Sequence, residues 1–480
     1  MARTIAVKAK RSRITKPRTT SASNGSSPVR TFKRALTYLS SVTDFERSTR
    51  LTYNSANFNL ARMNRLLTAL GNPQRLVRMV HVAGTKGKGS TATMIARMLE
   101  GAGYKTGLYT SPHVLSVRER IAINNTLISE AAFARCVGEV ARAAAKSKVG
   151  DLTYFEVLTA AAFLHFAREK CELAVIEVGL GGRLDSTNVI KPEVCAITNI
   201  SFDHMSVLGK GLAAIAEEKA GIIKPGVPVI SAPQQPEVKA VLRRIAEKNN
   251  APLTFLGEDV EFSIRFESSR TFGPHNRVCL TTPTSRFEHL HVPLLGEHQA
   301  INCGVALAAL DALKARGVII DDVKATDGLA NTRLIGRMEM LYENPRIIAD
   351  GAHNAASVEA LMRAIGQSIS YDSMVVIFGC QKDKDVVGML QHVQLGADKI
   401  IFTGTGSPRS MDPAELAMAY AERTGKMVQV AETLADALAI ADRAVSRDDL
   451  ICITGSFYLV AQAKRLFADD GGKRLLRYRA

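Results

Sequence analysis

The stretch Val82-Ala83-Gly84-Thr85-Lys86-Gly87-Lys88-Gly89-Ser90-Thr91 constrains this chain more than any other. Its setting predicts a strand over Val77 to Val82, a glycine-rich turn, and a helix from Gly89 to Glu100. A strand feeding directly into a helix is the opening of a β–turn–α unit, which belongs in a parallel sheet covered by helices. Glycines let backbone N–H groups come close to phosphate oxygens. The helix N-terminus adds positive potential, Lys88 adds a point charge, and Ser90 or Thr91 offers a hydroxyl near Mg²⁺. These residue types point to ATP. The spacing is not that of the common Walker motif, because only Thr85 and Lys86 lie between Gly84 and Gly87, and Gly89 separates Lys88 from Ser90. The plain alternative is a glycine-rich turn with no ligand.

The alternation continues along the chain. Helices are expected at Thr31 to Ser40, Asn59 to Leu70, Glu130 to Ala145, Thr153 to Arg168, Leu212 to Ile223 and Pro236 to Lys248. Strands are expected at Lys105 to Tyr109, Leu173 to Ile176, Val194 to Thr198 and Val227 to Ser231, with antiparallel strands across 252–292 before a helix over Gly296 to Ala315. A second unit begins near residue 332. Its strand material lies at Met338 to Ile348, Met374 to Phe378, Lys399 to Phe402, Met427 to Val430 and Leu450 to Thr454. The expectation is an α/β chain: a mostly parallel sheet with helices on both faces, then a smaller doubly wound unit of ordinary domain size. The expected divisions are a tail over 1–30, a first domain over 31–331 and a second over 332–480.

Charge and cysteine content test other function classes. The net charge of +16 suggests nucleic acid, but no acidic residue precedes Asp44 while ten basic ones do. Residues 1–30 are rich in Ser, Thr and Pro, and read as a solvated basic tail. An organelle transit peptide is the alternative for that segment, and a tail that contacts RNA or a membrane is a further one. No uninterrupted apolar run reaches the length of a membrane span. The seven cysteines are scattered without a CxxC pair, which fits reduced thiols in a cytoplasmic setting and neither a disulfide framework nor a zinc site.

In open α/β sheets, ligands bind beyond the carboxyl ends of the strands. Four expected strand ends carry Lys88 with Ser90, Ser111, Glu177 and His204. Taken singly, Ser111 reads as a turn residue, Glu177 as a partner for an arginine, and His204 as a core histidine. Together on one rim they suggest a metal–phosphate site. Mg²⁺ prefers oxygen ligands, which suits Ser111 and Glu177 better than His204.

The motifs AGTKGKGST (83–91), TSPHV (110–114), LTYFEVLTAAAF (152–163), EVGLGGRLDSTNV (177–189), ITNISFDHMSVLG (197–209) and AEEKAGIIKPG (216–226) occur in this order, followed by LGEHQAINCGVAL (295–307), GRME (336–339), DGAHN (350–354), KDKD (382–385), SPRS (407–410) and TGSFYLV (454–460). Through these the chain resembles the folylpolyglutamate synthase/dihydrofolate synthase family of the Mur ligase superfamily, from about residue 35 to the end. The resemblance implies a P-loop sheet domain, a smaller Rossmann-like domain, and an ATP-dependent ligase. Such an enzyme joins L-glutamate to a folate, and also to dihydropteroate, through an acyl phosphate.

By resemblance, Gly84, Thr85, Gly87, Lys88, Gly89 and Ser90 cradle the ATP phosphates, while Asn302, Arg337 and Asp350 contact the nucleotide. Ser111 and Glu177 resemble ligands of one Mg²⁺ and His204 a ligand of a second. Lys219 matches a lysine carbamylated by CO₂, whose plain alternative is an ion pair with Glu217 or Glu218. His353 lines the active site, and Lys88, Lys219 and His353 form the catalytic set. Phe58, Asn59, Leu60, Pro112, Thr153, Phe155, Arg183, Leu184 and Asp185 are the expected acid-substrate positions. The expected partners are small molecules, with no membrane, no nucleic acid apart from the tail, and a monomeric state.

Two positions depart from the family pattern. Lys86 stands where Asn is common, and Leu334-Ile335 stands before Gly336-Arg337 where Trp-Pro is frequent. A cell-wall Mur ligase is the rival within the superfamily, against which the GKGS loop and the LTYFE segment argue. A nucleic-acid-binding protein acting through its basic tail is the rival of another class.

Overall fold

The computed structural model of the chain describes residues 29–45, 58, 60–202, 209, 211–269, 273–468 and 476. Residues 1–28 of the basic tail, Asn59 and His204 lie outside the described residues. The first sheet holds strands β1 (Arg78–Ala83), β2 (Thr106–Tyr109), β3 (Ile121–Ile123), β4 (Thr126–Leu127), β5 (Leu173–Glu177), β6 (Val194–Ile197), β7 (Val229–Ser231) and β8 (Leu253–Phe255). Their order is β4-β3-β2-β5-β1-β6-β7-β8, and the run from β2 to β8 is parallel throughout. Its central strands are nearly continuous apolar runs because both faces are covered. Alternation is still visible in what each residue meets. Leu173 and Val175 of β5 face the Lys88–Gly101 and Glu297–Ala315 helices, whereas Ala174 and Ile176 face the Glu130–Ser147 and Tyr154–Arg168 helices.

An antiparallel unit of β9 (Glu261–Ser269), β10 (Gly273–Thr281) and β11 (Arg286–His291) follows. The second sheet comprises β12 (Glu339–Glu343), β13 (Arg346–Ala349), β14 (Met374–Phe378), β15 (Lys399–Thr403), β16 (Gln429–Ala431) and β17 (Leu450–Thr454), in the order β12-β13-β17-β14-β15-β16. Only β12 runs antiparallel. On β17, Ile451 and Ile453 enter one core and Leu450 and Cys452 the other. The two units touch: Val114, beyond β2, packs on the second unit's core, and the Ala355–Ser368 helix lies against β10.

Local chemistry sets the helix starts. Ser129 accepts from Ala132 N at 3.1 Å, Asn354 from Ser357 N at 3.0 Å, and Thr153 forms a capping box with Glu156. Three expectations are corrected, and one hairpin is new. The helix expected to run to Ile223 stops at Ala220, because Gly221 turns the chain while Ile222 and Ile223 are pulled into the core. The 252–292 segment is not all antiparallel, since β8 follows the Pro236–Lys248 helix and closes a βαβ crossover onto β7. The Met338 to Ile348 segment is two strands around an Asn344-Pro345 turn, where a missing N–H suits a turn better than a ladder. The β3–β4 hairpin went unanticipated, although Asn124 and Asn125, both at positive φ, carry its signal. Among the described residues, no helix is long and apolar enough to cross a membrane, and all seven cysteines are free thiols.

The helix behind the glycine-rich turn is held at its far end by a glycine crossing. Gly101 meets the Asp322–Ala330 helix at Gly328, and a Cβ on Gly328 would overlap the Arg97 carbonyl oxygen. Alanine is the better helix former by about 1 kcal/mol, but backbone cannot yield to a methyl group, so packing decides the sign. Gly328→Ala is expected to destabilise the chain by about 1–3 kcal/mol in urea unfolding. Gly366→Ala, at a helical position with nothing within 4 Å, should stabilise it or leave it unchanged.

Candidate active site

The loops after β2, β5, β1 and β6 leave four adjacent parallel strands at the same rim. Ser111 follows β2, Glu177 ends β5, and Gly84 to Lys88 follow β1. These positions share one rim of one sheet, and the strand order makes their strands neighbours. His204, beyond β6, is outside the described residues.

The phosphate-loop candidate is bent by two glycines at positive φ, Gly84 at 145° and Gly87 at 84°. Neither tolerates a side chain. A Cβ on Gly84 would overlap Thr198 Oγ1, and one on Gly87 would overlap the amide of Asn302, which is buried and donates to Gln299 Oε1 at 3.1 Å. Gly87 caps the Lys88–Gly101 helix, so the first helical N–H groups point into the rim. Thr85 N donates to Asn199 O at 2.9 Å, and Lys88 Nζ reaches back to Thr85 O at 3.4 Å. Ser90 and Thr91 are both buried, and the Thr91 hydroxyl is sealed without a hydrogen-bond partner.

Glu177 is 3 % exposed and accepts from Ser111 N at 2.9 Å. A Cβ on Gly89 would lie 3.5 Å from its Oε2, so the carboxylate sits against the start of the helix. Burial pushes its pKa up, opposed by the charge of Lys88, the Ser111 N–H, and the charges of Arg337 and Arg120. Pro112 follows Ser111 across a cis bond. Lys219, on the Leu212–Ala220 helix, is 5 % exposed and donates to Gly84 O at 2.8 Å. The two acids proposed as its partners are engaged by arginines instead, Glu217 by Arg244 at 2.5 Å and Glu218 by Arg183 at 2.7 Å.

The second unit contributes Arg337, Asp350 and His353. Arg337 lies with its guanidinium carbon 4.6 Å from the Phe457 ring centroid, and its charge reaches both Glu177 and Asp350. Asp350 accepts from Met338 N at 2.9 Å and Ala352 N at 2.7 Å, so it ties the Gly336-Arg337 turn to the end of β13. Burial raises its pKa against the pull of Arg337. The ring of His353 lies 5.8 Å from Phe457, with its Nδ1 2.8 Å from Gly351 O. Phe457 lies within TGSFYLV (454–460), where the sequence alone assigns it no function. The structure shows it between Arg337, His353 and Gly351, where a Cβ would overlap its ring.

Of the acid-substrate candidates, Leu60, Thr153, Phe155 and the 183–185 turn lie on elements that pack together. Leu60 opens a helix that packs on the Tyr154–Arg168 helix and on the Ser186–Val189 turn, with Arg62 Nε bonded to Glu156 Oε1 at 2.9 Å. Thr153 is that second helix's N-cap. Phe155 lies over Gly179 with its ring 5.8 Å from Tyr109, and Phe58 lies 5.4 Å from Phe45. Arg183 and Leu184 lie in the turn that Asp185 organises. Fully buried Arg120 was missed, since nothing in its sequence context separates it from a surface arginine. It packs over Tyr154 at 5.4 Å and donates from Nε to His113 Nδ1 at 2.9 Å.

Asp185 has both oxygens engaged inside the loop. Oδ2 accepts from Gly179 N at 3.1 Å and Leu180 N at 3.0 Å, while Oδ1 accepts from Thr187 N at 2.9 Å and Thr187 Oγ1 at 2.5 Å. The single hydroxyl proton of Thr187 goes to Asp185, so His81 Nε2, 2.8 Å from the same oxygen, must be the donor there. His81 Nδ1 then carries no proton, and it is sealed in the core without a partner. Burial, and secondarily Lys224, hold its pKa down at about 3. An unfolded histidine titrates near 6.5, so as pH falls below that value the unfolded chain takes up a proton that the folded chain refuses. Stability is lost progressively from about pH 6.5 down to about pH 3. His81→Gln should flatten the pH dependence of urea-derived stability in this window by about 1.4 kcal/mol per pH unit. An unchanged slope would contradict the neutral tautomer.

Two family models match the chain: "Mur ligase middle domain" over residues 82–310 and "Mur ligase, glutamate ligase domain" over residues 336–457. A dihydrofolate synthase/folylpolyglutamate synthase of Bacillus subtilis is 34% identical over 411 residues, covering 85% of this chain and 94% of that protein. The Mycobacterium tuberculosis protein of the same name is 35% identical over 444 residues, covering 86% and 90%. The M. tuberculosis folylpolyglutamate synthase crystallised with ADP and AMPPCP superposes with a TM-score of 0.80 at 34% identity, over 86% of this chain and 96% of that one. Escherichia coli FolC in complex with DHPP and ADP superposes at 0.79 with 27% identity, over 92% and 98%. The chain belongs to the folylpolyglutamate synthase/dihydrofolate synthase family of the Mur ligase superfamily.

Proposed function

We propose that this chain uses ATP to join L-glutamate to the carboxyl group of a folate, and accepts dihydropteroate as an alternative acid. The observation that carries the reading is Glu177: a buried carboxylate at a strand end, set against a helix N-terminus and within the fields of Lys88 and of Arg337 from the other unit. A negative side chain at the mouth of an anion-binding loop is understandable if a cation is to sit between it and the phosphates.

A carboxylate is a poor acyl donor because its leaving group would be oxide. Transfer of the γ-phosphoryl of ATP to the substrate carboxylate forms an acyl phosphate and ADP. The glutamate amine then adds to the acyl carbon, and the tetrahedral intermediate collapses with loss of phosphate. Positioning and charge neutralisation supply most of the acceleration in such chemistry. The N–H groups from Gly87 to Ser90 cradle the phosphates, with Gly84 and Thr85 shaping the loop, Lys88 as anchor and Asn302, Arg337 and Asp350 on the nucleotide. Ser111 and Glu177 would hold one Mg²⁺ and His204 a second, and bound Mg²⁺ would neutralise the phosphate charge.

Lys219 is carbamylated in this reading. A carbamate keeps one N–H, enough for the Gly84 carbonyl, while its oxygens turn a buried cation into an anion. His353 lines the active site from the second unit. Thr153, Phe155 and the Arg183 to Asp185 turn, with Phe58, Asn59, Leu60 and Pro112, enclose the pterin acid. The working divisions are the tail over 1–30, the ATP-binding unit over 31–331 and the glutamate-ligase unit over 332–480, a division supported by the two separate sheets.

Phosphate release measured with tetrahydrofolate and with dihydropteroate, each with and without glutamate, tests the reading. ATP should be consumed in proportion to new amide bonds only when acid and glutamate are both present. Lys88→Ala should lower ADP formation by roughly a hundredfold or more, and a normal rate would remove the loop assignment. Lys219→Ala should be nearly inactive and partly restored by a short carboxylic acid. Full activity without that additive would end the carbamate proposal.

A further inference from the structure

We infer that Gln234 is a positioning residue for the phosphate loop. The inference rests on reading residues 84–90 as the ATP-binding loop. Gln234 lies three residues beyond β7, is 8 % exposed, and touches none of the positions assigned above. Its Oε1 accepts from Ile200 N at 3.0 Å, and its Nε2 donates to Thr198 O at 2.9 Å and to Ser231 Oγ at 3.2 Å. A backbone N–H can only donate and a carbonyl can only accept, so the orientation of this amide is dictated by its partners.

The strap from Thr198 to Ser201 has left β6; Thr198 N keeps one ladder bond, to Ala83 O of β1 at 2.8 Å. Apart from that bond and those to Gln234, its hydrogen bonds among the described residues go chiefly to the phosphate loop. Thr198 Oγ1 donates to Lys86 O at 2.6 Å, Asn199 O accepts from Thr85 N at 2.9 Å, and Ser201 N and O both meet Thr85 Oγ1 at 3.1 Å. Thr198 is also the residue against which Gly84 is pressed. The loop is therefore moulded on the strap, and the strap is clamped from behind by one side-chain amide. An amide is required at 234. Glutamate would turn an acceptor toward the Thr198 carbonyl, and methionine would leave both Ile200 N and Thr198 O unpartnered in the interior.

Removing the clamp should loosen the N–H cradle while leaving the glutamate side alone. In the full-length chain, Gln234→Met is expected to raise KM for ATP about tenfold, the effect of losing one or two hydrogen bonds. KM for glutamate should stay within about twofold, well under the cost of a lost contact. Calorimetric affinity for a non-hydrolysable ATP analogue should fall in parallel. Because both residues act through one strap, combining Gln234→Met with Thr85→Val should weaken analogue binding no more than Thr85→Val alone.

Should Gln234→Met fail to fold, Gln234→Glu, which keeps the acceptor for Ile200 N, is held to the same criteria. Unchanged analogue affinity in a folded variant overturns the inference, even if its Tm has dropped. So do losses that multiply fully in the double variant. A wild-type chain that binds the analogue but forms no glutamate-dependent ADP would sink the ligase reading alone, and the calorimetric comparison would still decide the role of Gln234.

Discussion

The backbone contact between the loop after β1 and the strap after β6 is the constraint on which the rest of the site depends. It exists because Gly84 has no Cβ where Thr198 Oγ1 passes, and because Gly87 has none where the Asn302 amide passes. Those two omissions let carbonyls of the loop turn inward to Thr198 and leave the N–H groups at the start of the Lys88–Gly101 helix facing outward. A methyl group at either position would sit 1.8 or 2.1 Å from a side-chain oxygen, so loop or neighbour would have to shift. Gly101 and Gly328 repeat the device at the far end of the same helix, where two backbones cross without side chains between them. The helix is thus located at both ends by close approach, and the anion site inherits that rigidity.

Electrostatics then divides the rim between two sheets. Glu177 ends β5 of the first sheet and Asp350 follows β13 of the second, both are buried, and both have raised pKa values for the same reason, loss of water. Arg337 acts on both. A cation that stabilises two buried anions from one position, while stacking on Phe457, links the relative placement of the units to their charge state. The hinge lacks the Trp-Pro pair frequent in the family, and Phe457 packs against Gly336 and Gly351 there. Closure of such a junction over bound nucleotide would exclude water from an acyl phosphate, which is what a two-step ligase requires.

Polar groups away from the phosphates mostly hold loops in place. Asp185 looks like a ligand-binding acid in sequence, yet in the fold it accepts four hydrogen bonds from its own loop. His81 stays neutral because its one proton is committed to Thr187 and burial, with the charge of Lys224, disfavours a second on the partnerless nitrogen. Both residues fix the shape of the turn that carries Arg183 and Leu184.

Much of this was legible in the chain itself. The strand–glycine–helix order, the apolar runs of β5, β14 and β17, and the strand-end placement of Ser111 and Glu177 are local or periodic properties, and local sequence encodes them through burial and backbone freedom. The family motifs likewise lie in contiguous stretches. The tertiary structure alone decided which partners those residues meet: that Glu217 and Glu218 go to arginines and Lys219 lies beside Gly84, that β8 joins the parallel sheet, that Arg120 and Gln234 are interior, and that Phe457 lies against Arg337. A hydrogen bond between residues 34 or 116 positions apart has no periodicity to betray it, because its geometry is set by how whole strands and helices pack.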